Sequence, residues 1–137
     1  MKINNFKFHE RGLNRFFGPL EARILEILWE TPGQSIKAVQ EKLDKEKSIN
    51  FNTVMTVMNR LVEKGILSKK VSGRTSLYSP TQSKELFLEE QSKEITHELI
   101  EDFGPLVVNH MIDALEEADP DLLEQLEQKI KAMKKEK

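Results

Sequence analysis

The chain has no cysteine among its 137 residues. Disulfides, thiolate metal sites and cysteine nucleophiles are thereby excluded together. Apolar runs are short, the longest being three residues, as in Leu106-Val107-Val108. A membrane helix needs about 20 apolar residues, so no membrane insertion is expected. No apolar stretch follows Lys2; a secretory signal is not expected, and the expected compartment is the cytoplasm. Histidine is scarce and scattered: His9, His97 and His110 have no glycine-rich phosphate loop nearby. His110 with Asp113 and Glu117, and His97 with Glu101, share helical spacing that could suit zinc. The better reading of both is a solvated helix face. No constellation points to catalysis, a cofactor or a resident metal.

What is present is charge, and it is unevenly placed. Hydrophobic residues make up 38% and charged residues 32%, enough for a core beneath well-solvated helical faces. The net charge of −2 conceals a balance of +6 over residues 1–80 and −8 over residues 81–137. That split suggests a module facing a polyanion, joined to an acidic part with a different task.

Residues 1–18 show no sustained period. Lys2, Lys7, Arg11 and Arg15 alternate with Phe6, Phe8, Phe16 and Phe17. A basic arm entering a minor groove is one reading; the favoured one is a frayed terminus whose phenylalanines pack on the domain. From Pro19 the period becomes helical, with Leu20, Ile24, Ile27 and Leu28 widened by Leu25 and Trp29. A helix apolar on most sides belongs in the middle of a small core. Pro32-Gly33 ends it, and Ser35 can cap a second helix with the stripe Ile36, Val39 and Leu43.

The third helix carries the functional signal. Asn50 can cap it and Gly65 can stop it, leaving Phe51 to Lys64 between. Val54, Val57, Met58, Leu61 and Val62 share one face. Asn52, Thr56 and Asn59 lie opposite, with Thr53 and Arg60 on a shoulder, and no acidic residue occurs before Glu63. Such side chains can donate to phosphates and base edges, whereas carboxylates would be repelled. Ile66–Val71, a Ser72-Gly73 turn and Arg74–Ser79 then read as a β-hairpin. Lys69, Lys70 and Arg74 near its tip make it a candidate wing. Beyond Pro80, helices are expected over about 82–103, 106–117 and from Pro120. Their stripes are thin: Leu88, Ile95 and Leu99; Val108, Met111, Ile112 and Leu115; Leu122, Leu126, Ile130 and Met133. A second copy covering them makes a symmetric dimer the natural inference, favoured over their folding back onto the winged helix. Residues 131–137 read as a fraying charged tail.

The segments LEARILEILWE, NFNTVMTVMNRLVEKGIL and VSGRTSLYSP, in that spacing, closely resemble the penicillinase and methicillin-resistance repressors, the BlaI/MecI/CopY family. The most specific part is NTVMTVMNRLVEKG. The resemblance implies a homodimer on a palindromic operator, each third helix in a major groove, with Asn52, Thr53, Thr56 and Arg60 facing DNA and Lys69, Lys70 and Arg74 in the wing. It also implies departures. Copper-sensing members carry a cysteine motif that is missing here. Members cut by a membrane sensor-protease are cleaved at an Asn-Phe bond, where this chain reads Met111-Ile112-Asp113-Ala114-Leu115. The leader is also longer than in most relatives.

The expected fold is mainly α with one small β-hairpin: an N-terminal extension (1–18), a winged helix-turn-helix (19–80) and a helical dimerisation region (81–137). The expected function is a transcriptional repressor binding double-stranded operator DNA, with a sensor-protease as candidate inducer. The alternative is a winged helix used only for protein contacts. The expected DNA contacts are Asn52, Thr53, Thr56, Asn59, Arg60, Lys69, Lys70 and Arg74. The expected dimer contacts are Ile95, Leu99, Met111, Leu115, Leu122, Leu126 and Ile130.

Overall fold

A computed structural model describes residues 6–7 and 9–135. Lys2, Phe8 and the last two residues of the expected tail therefore lie outside the described residues. The chain divides into two compact units, residues 1–89 and 90–137. The sequence placed a boundary after Pro80; the units divide later because Phe87, in the fourth helix, is fully buried in the core of the first.

Within the first unit the order is a 3-10 turn (Gly12–Arg15), α1 (Pro19–Glu30), α2 (Ile36–Asp44), α3 (Phe51–Glu63), β1 (Leu67–Ser72), β2 (Thr75–Pro80) and the start of α4 (Lys84–Phe103). This is a winged helix-turn-helix. Helix α1 is central, packing against α2, α3, β2 and the 3-10 turn. That position explains its all-round apolarity: Ala22, Ile24, Leu25, Ile27 and Leu28 are all buried. The caps follow the sequence. Ser35 Oγ accepts from the Ala38 amide at 3.1 Å, and Asn50 Oδ1 accepts from the Asn52 amide at 2.8 Å. At the end of α3 the Ile66 amide donates to Leu61 O and the Gly65 amide to Val62 O, with Gly65 at φ +78°. That is a Schellman ending, which glycine permits without strain.

The N-terminal extension is not frayed over its described part. Leu13 and Phe17 are buried, and the Phe16, Phe17 and Trp29 rings surround Phe87 at centroid distances of 5.5, 5.6 and 5.7 Å. Offset and edge-on ring contacts of this kind add to the area they bury. The stripe assigned to α4 needs the same correction. Its anchor is Phe87, whereas Leu88 is 39% exposed.

The hairpin is displaced by one residue from the sequence reading. Ser72 pairs with Thr75, so the two-residue turn is Gly73-Arg74 and the strands run 67–72 and 75–80. Gly73 has φ +63°, and no non-glycine among the described residues has positive φ. Positive φ at the first central position alone is the pattern of a type II′ turn, which wants glycine there. A turn centred on Ser72-Gly73 would have put serine in that place.

In the second unit the rest of α4 is followed by α5 (Pro105–Ala118) and α6 (Pro120–Lys135), which pack against each other. Gly104, at φ +48°, separates α4 from Pro105. On the stripe expected to be covered by a second copy, Val108 and Ile112 are 53% and 43% exposed in the single chain, and Met111 and Leu115 are half-buried. Neither α5 nor α6 has a buried residue, since two narrow stripes in one chain cannot enclose each other. Helix α6 continues through Lys135, further than the expected fraying end.

Candidate nucleic-acid interface

Helix α3 rests on Val54, Met58 and Leu61, all fully buried, and presents Asn52, Thr53, Thr56 and Arg60 to solvent. Two of its polar groups are already engaged. The Thr56 hydroxyl donates to Asn52 O at 2.9 Å, and the Tyr78 hydroxyl donates to Asn59 Oδ1 at 3.0 Å. Asn59 was expected on the open polar face. It is instead half-buried and turned toward the hairpin, its Oδ1 already accepting from Tyr78.

Tyr78 is the joint between wing and helix. Its ring is buried, its hydroxyl reaches α3, and its backbone exchanges hydrogen bonds with the turn before α2: Tyr78 N to Gln34 O at 2.9 Å, Gln34 N to Tyr78 O at 3.2 Å. The wing is thus fixed to both helices of the helix-turn-helix.

Strand alternation divides the wing's cations. Lys69 pairs across from Tyr78, its Nζ 5.8 Å from the ring centre, while Lys70 pairs with Leu77 on the other face. Lys69 and Arg74 border an open cleft between α3, the hairpin and the start of α2; Lys70 does not. The cleft also brings in Lys37, Phe51 and Met55, which the sequence reading left out. Lys37 lies in the first turn of α2 and carried no periodic signal. Phe51 falls toward the apolar side of a helical wheel, yet as the first residue of α3 it is 40% exposed. A wheel holds no information about position along the axis.

The resolved electrostatic shifts lie away from this face. Arg23 donates from Nε to both carboxylate oxygens of Glu46 at 3.0 Å. This hydrogen bonding holds the Glu46 carboxyl below its ordinary range and raises Arg23 above its own. His97 pairs with Glu101 at 3.1 Å along α4, and among the described residues no group of three or more His, Asp or Glu could hold a metal. No helix of the described residues is long and apolar enough to cross a membrane.

The expected dimer residues lie in the second unit. Leu122 and Ile130 are 42% and 44% exposed; Ile95, Leu99, Met111, Leu115 and Leu126 are half-buried.

Comparison with known proteins gives a consistent family. A transcriptional regulator BlaI of Mycobacterium tuberculosis is 27% identical over 103 residues, covering 74% of this chain and 61% of that protein. The chain thus spans less than two thirds of that relative's length. The penicillinase repressor of Bacillus licheniformis is 25% identical over 92 residues, covering 67% of this chain and 69% of that one. The solution structure of the DNA-binding domain of the repressor BlaI aligns with a TM-score of 0.46 at 24% identity, over 50% of this chain and 83% of that one. The penicillinase repressor profile matches residues 17–132, and with most of its length matched the chain belongs to the penicillinase repressor family.

Proposed function

We propose that this chain is a transcriptional repressor that binds operator DNA as a homodimer. The observation carrying this is the solvent face of α3, where Asn52, Thr53, Thr56 and Arg60 stand clear of the core with no carboxylate before Glu63. Lys69 and Arg74 of the wing and Lys37 of α2 line the cleft beside α3, against its Phe51, Met55 and Asn59. Donors in the middle and cations at the rim suit a duplex, base edges in the groove and phosphates on either side. Lys70, on the opposite face of β1, contributes long-range attraction more than contact. The names of the relatives, transcriptional regulator and penicillinase repressor, agree with this reading.

The exposed apolar residues of α5 and α6 are the dimerisation surface in this reading. Two-fold symmetry would set two recognition helices on half-sites about 34–36 Å apart and make the operator palindromic. The protein acts in the cytoplasm, where the DNA is. If a membrane sensor-protease lifts repression, it does so other than by cutting an Asn-Phe bond in α5, whose sequence lacks that pair.

Titrating binding to random duplex against salt tests the reading. A dimer neutralising about 8 phosphates gives a log–log slope near −7. Undetectable or salt-independent binding would overturn the DNA reading and leave a winged helix that contacts proteins.

A further inference from the structure

Phe51 is an anomaly on the surface just described. It is the first residue of α3, it is 40% exposed, and it stands in the cleft rimmed by Lys37, Lys69 and Arg74. Met55, one turn on, lines the same cleft, and Asn59 follows one turn further. Positions four apart form one row along a helix, so the row facing the wing is apolar over its first two turns and polar only at Asn59. Hydrogen bonding from this side is further reduced because Tyr78 occupies Asn59 Oδ1.

An exposed aromatic at a helix start loses the stabilisation that burial would give it. Where the surroundings are cationic, the partner that suits both features is a polyanion with an apolar group at reading depth. Thymine provides one: its C5-methyl projects into the major groove, beside the phosphates. We propose that Phe51, backed by Met55, reads a thymine methyl at one position of each half-site, while Lys37, Lys69 and Arg74 hold the adjacent backbone. This inference rests on the DNA-binding reading and adds to it a specificity contact made without hydrogen bonds.

The test begins with a consensus selected by the intact protein from a randomised duplex pool. Each consensus thymine is then replaced by uracil, which removes only the methyl group. At one position per half-site the wild-type protein should lose about three- to fivefold in affinity, the scale of one buried methyl. Phe51→Ala should bind the thymine duplex more weakly and be indifferent to that replacement, and Phe51→Leu should keep part of the discrimination. Phe51 is exposed, so circular dichroism should show both variants folded. Equal wild-type affinity for thymine and uracil at every position overturns the inference alone, as does full discrimination by Phe51→Ala. Failure of the wild-type protein to select any consensus overturns the DNA reading, and the inference with it.

Discussion

Arg60 lies one turn beyond Thr56 on the exposed side of α3, with a guanidinium that can address a guanine edge or a phosphate. Arg60→Ala should weaken binding to a selected operator by about 1–3 kcal/mol and relax the preference at one base pair. Equal loss on operator and on random duplex, in the same competition assay, would assign Arg60 to phosphate. At Glu46 the measurable property is pH dependence. Its carboxyl titrates below its ordinary value because Arg23 hydrogen-bonds to the ionised form. The stability this pair contributes is therefore present above the unfolded carboxyl's pKa and fades as pH falls through the lower folded value. Glu46→Gln should remove that portion of the acid dependence, read from urea midpoints between neutral and acid pH. The effect should be small because both side chains are exposed.

Among the elements, the hairpin turn is the most sensitive to one substitution. Gly73 sits at φ +63°, a conformation costing an L-residue about 1–2 kcal/mol. Gly73→Ala should lower the thermal midpoint accordingly and weaken DNA binding through the displaced Arg74; an unchanged midpoint would mean the turn re-forms without strain. Helices α1 to α3 were legible because their burial has a period and their ends have chemistry: Ser35, Asn50 and Gly65 do locally what their types suggest. The hairpin register was less legible. Both Ser72-Gly73 and Gly73-Arg74 are acceptable two-residue turns, and the choice depends on which residue must accept positive φ. Lys69 and Lys70, being adjacent in β1, take opposite faces in either register; what the register decides is their cross-strand partners, Tyr78 for Lys69 and Leu77 for Lys70. Phe87 was illegible for a different reason. Its partners are rings from the aperiodic N-terminal segment and from α1, and no local pattern announces a contact made over that separation.

At the scale of the molecule the two units differ in how completely each chain buries its own apolar groups. The first closes its core within one chain; the second has α5 and α6 without a buried residue. Exposing that much apolar surface suits a protein that covers it with a second copy. Leu126→Gln with Ile130→Gln should give monomers in sedimentation while the winged helix keeps its unfolding transition, and an unchanged dimer mass would displace the proposed interface. The aromatic cluster around Phe87 has a consequence during synthesis. Phe16 and Phe17 emerge from the ribosome early, and at about 5–20 residues per second they wait seconds for the ring they pack against. Until then α3 has been made but rests on an unfinished core. Nascent chains arrested before Phe87 clears the exit tunnel should be cut readily by protease, and chains arrested beyond it should resist. The winged helix proposed to read DNA becomes a folded object only when the first turns of the helix after it have been delivered.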